Sequence, residues 1–340
     1  MIKGLLTRAT DKIYSLPVMV LMPHSRCNCR CVMCDIWKAN DQKKEITTDT
    51  LALHVQSFKK LGVKHIALSG GEALMHSNLW RFCELLKSIP VKISLLSTGI
   101  TLKAHAREVV KYMNEVIVSL DGPPRIHNQI RNLPSAFEKL RDGVRAVKAI
   151  DPKFRVTGRS VLQKLNYKYL LEIISTAEAI GLDQISFLTA DVSTTAFNHN
   201  EPWTDAKVVQ IALNSEDVQR FETIVEESFE RFSKLYKARY IAENPTRMRQ
   251  LVQYYRAIVN EAAFPHRKCN APWVSAVVEA DGDVRPCFFH KSYGNLLGRS
   301  LPEILNSSEA ISFRKNLKVD RDPICERCVC SLHIGIRQML

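Results

Sequence analysis

The sequence predicts an α/β protein made of six strand–helix units, followed by a small domain that carries cysteines. Short apolar runs rich in β-branched residues alternate with helical patterns from residue 17 to about residue 190. This alternation gives a parallel sheet that is buried on both faces, which either winds open or curls into a partial barrel. From Cys269 onwards the pattern changes to a hairpin and a group of cysteines. Ligands of such a sheet are expected at the carboxyl ends of its strands.

The six strands and the helices between them can be placed in chain order. The strands are the apolar runs at 17–22, 64–69, 91–96, 115–120, 154–162 and 184–189. The helices, in which apolar residues recur every three or four positions, are expected at 48–61, 78–88, 103–113, 135–149 and 167–180. A long polar loop at 190–203 follows, and then helical patterns at 215–241 and 245–259.

The C-terminal part has a different character. Two apolar runs within 273–289 flank Asp281-Gly282, which is a strong hairpin signal, and a short helical pattern at 300–317 leads to "CERCVC". The sequence therefore predicts four regions, which are an N-terminal segment (1–16), the strand–helix region (17–200), a helical connector (201–265) and a cysteine-bearing domain (266–340). We expect the 190–203 loop and the last domain to line a substrate pocket.

Composition narrows the class of protein. No apolar run is long enough to span a membrane, so a cytoplasmic protein with no membrane partner is expected. The ten cysteines are clumped, which favours metal binding over disulfides. The net charge of +13 favours anionic partners, but no basic stripe interleaved with aromatic residues is present, so nucleic acid is not the favoured one.

The stretch "HSRCNCRCVMCDIW" directly follows the first predicted strand. Cys27, Cys31 and Cys34 form a C-x3-C-x2-C array, which can hold three corners of a cubane iron–sulfur cluster and leave one iron open. Cys29 does not fit this spacing and is interpreted as a bystander thiol. A zinc site is the alternative for the array, although zinc favours paired C-x2-C knuckles.

This array resembles the signature of the radical S-adenosylmethionine (SAM) enzymes. The resemblance implies a (β/α)6 partial TIM barrel and a [4Fe-4S] cluster whose open iron is chelated by SAM. It also implies an external one-electron donor such as flavodoxin or ferredoxin, whose electron cleaves SAM to a 5′-deoxyadenosyl radical that abstracts a substrate hydrogen. The cofactor supplies the hard chemistry, and the protein positions it and tunes its electronic properties.

Further positions match the family at the ends of successive strands. "SGGEAL" (69–74), "LLSTG" (95–99), "VSLDG" (118–122) and "VTGRSV" (156–161) end or lie in strands two to five. The family often carries Asn where this chain has Thr98, and an aromatic residue where it has Met33. By resemblance, the SAM contacts are Gly70, Gly71, Glu72, Thr98, Ser119, Arg159 and Met33.

The C-terminal cysteines are similar to those of the SPASM auxiliary-cluster domain and of its shorter "twitch" form. Cys269 precedes the hairpin glycine, Cys287 follows it, and Cys325, Cys328 and Cys330 come last. The resemblance implies one auxiliary [4Fe-4S] cluster on Cys269, Cys287, Cys325 and Cys328, with Cys330 as an alternative ligand or a free thiol near the substrate. Structural zinc is the alternative for this site. Cys83 shares an apolar helix face and is expected to be a core thiol.

We expect a radical SAM oxidoreductase whose auxiliary cluster transfers electrons or binds substrate. Only 26 residues precede Cys27, which leaves no room for an N-terminal peptide-binding domain, so a small-molecule substrate (a sugar or carrier-linked intermediate) is expected. A ribosomal-peptide-modifying enzyme and an RNA-modifying enzyme are the alternatives. A non-catalytic iron–sulfur or zinc protein is least favoured, because it leaves Glu72, Ser119 and Arg159 without a role.

Overall fold

The structure, a computed structural model, describes residues 2–198 and 201–335. Its centre is one sheet of nine strands in the order β6-β5-β4-β3-β2-β1-β7-β8-β9. The strands are β1 (Val18–Leu21), β2 (His65–Leu68), β3 (Lys92–Ser97), β4 (Glu115–Ser119), β5 (Arg155–Leu162), β6 (Gln184–Thr189), β7 (Ser275–Val278), β8 (Asp283–Arg285) and β9 (Gly294–Asn295).

The first six strands form the predicted (β/α)6 partial barrel. Neighbours from β1 to β6 pair in parallel, and all six predicted strands are confirmed to within two residues at each end. The ring is open, because β1 uses its second edge to pair with β7 instead of with β6. The carboxyl ends of all six strands therefore face one side of the molecule.

Helices follow the strands as expected, with some differences in their limits. The helix predicted at 215–241 breaks at Phe232, and the one at 300–317 breaks at Ser307, whose hydroxyl caps a new helix by accepting from Ala310 N–H at 3.2 Å. The helices before β6 are α1 (Ile2–Thr10), α2 (Thr48–Lys60), α3 (Leu79–Lys87), α4 (Ala106–Tyr112), α5 (Pro124–Arg131), α6 (Ala136–Ile150) and α7 (Leu170–Ala179). Those after it are α8 (Asp205–Ile211), α9 (Ser215–Arg231), α10 (Ser233–Lys237), α11 (Pro245–Ile258), α12 (Ala271–Val274), α13 (Leu301–Leu305), α14 (Ser308–Asn316) and α15 (Pro323–Glu326).

The C-terminal cysteine region is joined to the barrel through the sheet. β7 pairs in parallel with β1, with Val18 opposite Ser275, and Met22 N–H extends the ladder by donating to Val278 at 2.8 Å. β7 and β8 form the predicted hairpin. One apolar core runs through both regions, so the C-terminal cysteine region packs directly against the barrel.

Two further expectations concern single features. Cys83 is fully buried in α3, as predicted for a core thiol. Within residues 2–198 and 201–335, none of the helices has the length and apolar character needed to cross a bilayer. Of the loop predicted to line a substrate pocket, 199 and 200 lie outside the described residues, as do 336–340 of the last predicted domain.

Candidate active site and auxiliary cysteine site

The cysteine loop after β1 is tied to the barrel by backbone hydrogen bonds. Arg30 N–H and Val32 N–H donate to the carbonyls of the last two residues of α5, at 3.3 and 3.1 Å. On its other side, the Asn40 amide accepts from Cys27 N–H at 2.9 Å and donates to the Cys27 carbonyl at 3.1 Å. The three array cysteines therefore stand on a loop whose backbone is already fixed.

Two side chains approach the middle cysteine of the array. Arg131 Nη1 donates to Cys31 Sγ at 3.4 Å, and the same guanidinium forms an ion pair with Asp121. Cys29 also hydrogen-bonds to the Cys31 thiol and is 1% exposed. Cys29 is thus a buried neighbour of Cys31, consistent with the interpretation that it does not bind the cluster, and its exclusion from the ligand set stays a prediction.

The thiols of the array differ in their electrostatic surroundings. The hydrogen bond from Cys29, followed by the Arg131 charge, lowers the pKa of Cys31 to about 6. Burial raises the pKa of Cys27 and of Cys34 to about 12. Because thiolates are the metal ligands, iron binding would release protons from these two thiols, whereas Cys31 is ready to bind as a thiolate.

The array opens onto a cavity of about 220 Å³ at the carboxyl ends of the barrel strands. We call it the SAM cavity, after the ligand that the resemblance implies. Val161 of β5 and Leu188 of β6 supply part of its apolar wall. Among the described residues, the only cysteines that line this cavity are the three of the array. Six of the seven predicted SAM contacts line it as well, namely Met33, Gly70, Gly71, Thr98, Ser119 and Arg159.

The two glycines after β2 allow the backbone to pass close to the cysteine loop. Gly70 has a φ of +105°, which favours glycine, and a Cβ on Gly71 would lie 2.0 Å from the Arg26 carbonyl oxygen. Any side chain at Gly71 would therefore push the loop that carries Cys27 away from the cavity. This close approach explains why the sequence needs glycine here.

Glu72 is the predicted SAM contact that does not line the cavity. Its carboxylate is fully buried and accepts hydrogen bonds from Ser97 Oγ at 3.0 Å, Thr98 N–H at 2.7 Å and Leu74 N–H at 3.2 Å. Burial raises its pKa. The Glu72 carboxylate thus holds the end of β3 in place, and its contact with the SAM amino group stays a prediction that this placement does not support.

Ser119 and Arg159 lie opposite each other on β4 and β5. Arg159 is half-buried, and its Nε donates to Ser186 Oγ at 3.4 Å. The guanidinium faces the cavity, as a partner of the SAM carboxylate would, so it is not the free edge charge that a strand arginine often is.

The auxiliary cysteines gather beside the barrel mouth. Cys269 and Cys287 lie close enough to Cys325 and to Cys328 to raise the pKa of both. Burial raises the pKa of Cys287 to about 11. Burial also raises the pKa of Cys325 and of Cys328. His290 Nε2 lies 3.3 Å from Cys325 Sγ. These four thiols form a donor set that fits a [4Fe-4S] cluster.

Cys330 lies next to this set, because it also raises the pKa of Cys287 and of Cys328. It lines a cavity of about 280 Å³ together with Arg159, Glu243 and Arg267. Val329, between Cys328 and Cys330, lines both this cavity and the SAM cavity. The choice between Cys328 and Cys330 as the fourth ligand therefore stays a prediction.

A third cavity, of about 490 Å³, adjoins the SAM cavity and is called the cleft below. The two share Gly70, Gly71, Ile36 and Phe197. The outer part lies between the cysteine loop and the β7–β8 hairpin, which contributes the acidic side chains Glu279, Asp281 and Asp283. The sequence predicted that the 190–203 loop would contribute, and Phe197 does so.

Sequence reasoning missed several residues of the site, among them Arg131, Asp121 and Asn40. Arg131 is the last residue of α5, and Asp121 lies just before the start of this helix. The sequence did not predict a helix here. A signal was present, because Pro123-Pro124 is typical of a helix start. The contact of Arg131 with Cys31 joins residues 100 positions apart, and no local pattern encodes it.

Two family models match the chain where the site residues lie. The radical SAM superfamily matches residues 21–177, and the SPASM iron–sulfur cluster-binding domain matches residues 269–329. The chain therefore belongs to the radical SAM enzymes that carry a SPASM domain. Its cofactors are SAM and two [4Fe-4S] clusters, and the SPASM match favours a cluster over structural zinc at the second site.

Among curated proteins, the chain is similar to the antilisterial bacteriocin subtilosin biosynthesis protein AlbA of Bacillus subtilis. They are 22% identical over 89% of this chain and 64% of AlbA. A probable GTP 3′,8-cyclase of Methanocella arvoryzae is 30% identical over 37% of this chain and 41% of its own length. This chain spans less than two thirds of both relatives.

Solved structures share the fold across both regions. SuiB of Streptococcus suis bound to the precursor peptide SuiA has a TM-score of 0.65, with 12% identity over 96% of this chain and 74% of SuiB. The anSMEcpe structure with bound AdoMet and the Cp18Cys peptide has a TM-score of 0.62, with 18% identity over 87% of this chain and 81% of that protein. At these identities the likeness shows the fold alone.

Proposed function

We propose that this chain modifies a peptide, by abstracting a hydrogen atom from a residue that enters the SAM cavity through the neighbouring cleft. The observation that carries the proposal is that the two cavities lie side by side and share Gly70, Gly71, Ile36 and Phe197 in their linings. The similarity to AlbA over 89% of this chain supports it. This is the alternative weighed from the sequence, and it now stands ahead of a small-molecule substrate.

The cleft suits an extended polymer better than a compact ligand. Its rim is solvent-exposed, since the side chains of Lys44 and Asp281 are 47% and 37% exposed. Phe197 and Phe288, stacked with ring centroids 6.1 Å apart, are apolar surfaces inside it. Charged groups of both signs along the rim and aromatic groups within can contact several residues of a peptide while one side chain reaches the cavity.

Each set of residues has its own part in the proposed reaction. The array cysteines hold the first cluster, and Ser119 and Arg159 orient SAM beside it. Bound there, SAM and the cluster supply the 5′-deoxyadenosyl radical. The apolar wall of Val161 and Leu188 excludes water from the radical's position.

The C-terminal cysteines would hold a cluster that can accept one electron. Val329 is buried and lines the SAM cavity, so the auxiliary thiols begin one residue behind the cavity wall. In the proposed reaction, the substrate would give a hydrogen atom to the 5′-deoxyadenosyl radical, and then one electron and one proton, so that the peptide would be oxidised by two electrons in total. The proton would go to solvent, and the electron would pass by way of the C-terminal site to an external one-electron acceptor.

The test is to incubate anaerobically reconstituted protein with SAM, a reductant and each short peptide encoded beside its gene. We expect one peptide to lose two hydrogen atoms in mass spectrometry, with 5′-deoxyadenosine formed in step with it. Asp281→Asn with Asp283→Asn, on the cleft rim, should raise the KM for that peptide and leave SAM cleavage without peptide unchanged. Oxidation of a small molecule, with every peptide unaltered, would overturn the proposal.

A small-molecule substrate is the second candidate, and one observation favours it. The 30% identity with the probable GTP 3′,8-cyclase concerns a protein named for an activity on a nucleotide. That match covers only 37% of this chain, so it carries less weight than the AlbA match. Adding GTP in the same assay tests it directly.

A further inference from the structure

The side chain of Arg131 has a position that the SAM contacts and the cluster ligands do not explain. It is 6% exposed and donates from Nη1 to Cys31 Sγ at 3.4 Å. Burying a charged pair costs several kcal/mol of desolvation, and an apolar pair of the same volume is often as stable. The ion pair with Asp121 is therefore a poor device for stability alone.

The surrounding structure fixes this guanidinium from both ends. Asp121 Oδ1 accepts from Val161 N–H at 3.2 Å, which ties the carboxylate to β5, and Asp121 N–H bonds to His127 Nδ1 at 3.2 Å. The Arg131 carbonyl accepts from Arg30 N–H at 3.3 Å. Arg131 thus contacts the cysteine loop twice, through its backbone at Arg30 and through its side chain at Cys31.

We propose that Arg131, oriented by Asp121, is a positioning residue for the first cluster, which holds the Cys31 sulfur and raises the reduction potential of the cluster bound there. Reduction adds negative charge to a cluster, and a fixed cation and hydrogen bond at one of its sulfurs stabilise the reduced form more than the oxidised form. The effect is independent of substrate, and so of the function proposed above.

The test is an EPR-monitored redox titration of the cluster-loaded protein. The first cluster is identified as the one whose signal changes when SAM is added. In Arg131→Met, we expect the ratio of reduced to oxidised first cluster, at a fixed applied potential, to fall about tenfold, which corresponds to about 59 mV for one electron. Arg131→Lys, which keeps the charge but not the forked geometry, should lose about threefold. The second cluster should keep its potential in both variants.

Arg314→Met is the matched control. Arg314 is also buried, at 1% exposed, but its guanidinium donates to backbone carbonyls of Asp11 and Leu305. Its replacement should lower the free energy of unfolding and leave the first-cluster ratio unchanged. Asp121→Asn keeps Arg131 but removes the negative charge that offsets it, so we expect it to raise the ratio and, because the guanidinium loses its ion pair, to broaden the first-cluster signal.

Two results would overturn the proposal. One is an unchanged ratio in Arg131→Met with a full complement of iron. The other is an equal shift in Arg314→Met, which would show that any buried arginine has this effect. If Arg131→Met fails to assemble the first cluster, the Arg131→Lys and Asp121→Asn ratios decide, and unchanged potentials in both refute the electrostatic role.

Discussion

The two cysteine sites are built in contrasting ways. The first lies within eight residues of one loop, from Cys27 to Cys34, and the barrel fixes that loop through Asn40 and the end of α5. The second collects cysteines between Cys269 and Cys328, and the helices beside them, α12 and α15, have four residues each. The first site is therefore formed by the fold, whereas the second depends more on its metal to hold separate segments together.

The electrostatics differ in the same way. At the first site a buried arginine bonds directly to the Cys31 sulfur. At the second site the corresponding neighbour of Cys325 is His290, whose pKa is lowered by burial, so that it is a neutral hydrogen-bonding group. We infer that the two clusters are tuned for different tasks, one for SAM cleavage and one for accepting an electron.

The largest expected effect comes from removing the first site. Cys27→Ala, Cys31→Ala and Cys34→Ala together should abolish formation of 5′-deoxyadenosine and lower iron from about eight to about four atoms per chain. Cys29→Ala is the matched control, and should keep both the iron and SAM cleavage. Retained cleavage in the triple variant, or loss of iron in Cys29→Ala, would contradict the ligand assignment.

Removing the second site should separate radical formation from substrate oxidation. In Cys287→Ala with Cys325→Ala, we expect about four irons per chain, SAM cleavage in the absence of substrate, and no oxidised product. Limited proteolysis should cut the region after Cys269 faster than the barrel, because its short segments lose their metal. Equal protection of both regions would show that the C-terminal fold does not need the cluster.

A single comparison resolves the ligand at "CERCVC". Cys328→Ala should lose the auxiliary cluster, whereas Cys330→Ala should keep it and change only substrate turnover. Iron content and the EPR signal of the auxiliary cluster distinguish the two variants. The reverse result would make Cys330 the ligand and Cys328 the free thiol.

The sequence was informative where patterns are local. The apolar runs of β1 to β6 and the Asp281-Gly282 turn each depend on neighbouring residues, and the structure places these strands and this hairpin as predicted. Parallel strands bring Gly70, Thr98, Ser119 and Arg159 to one edge, so their meeting in one cavity also follows from strand order.

Features set by long-range contacts were beyond the sequence. β7 pairs with β1 across more than 250 residues, and nothing in either run specifies the partner. Glu72 was expected in the SAM cavity from its motif, but its placement depends on Ser97 and Thr98, which supply enough hydrogen bonds to keep the carboxylate buried. The motif gives the identity of a residue, and the surrounding donors decide where its side chain points.

Glu243 lines the cavity of about 280 Å³ beside Cys330, and it should make the free energy of unfolding depend on pH. Burial raises the pKa of Glu243 to about 7, above its ordinary value of 4.5. The unfolded chain then loses this proton at lower pH than the folded protein, so stability falls as pH rises from 4.5 to about 7. Between about pH 5.5 and about pH 8, wild type should lose about 2 kcal/mol relative to Glu243→Gln.

Chemical denaturation at the two pH values measures this difference. Glu226→Gln is the control, because Glu226 lies at the surface with its pKa lowered by Arg249. It is therefore ionised in the folded and the unfolded state over this range, and its replacement should leave the pH dependence of wild type unchanged. A Glu243→Gln variant with the same pH dependence as wild type would show that Glu243 is ionised in the folded protein over this whole range.

The smallest expected effect concerns the ion pair between Lys44 and Asp281, at 3.1 Å, which joins the cysteine-loop side of the cleft to the β7–β8 hairpin. Both side chains are more than a third exposed, and such pairs contribute about 0.5 kcal/mol or less. A double-mutant cycle with Lys44→Ala and Asp281→Asn should therefore give a coupling that disappears in about 0.5 M salt. A coupling above about 2 kcal/mol would mean that the two sites are held together by charge rather than by the β1–β7 ladder and the shared core.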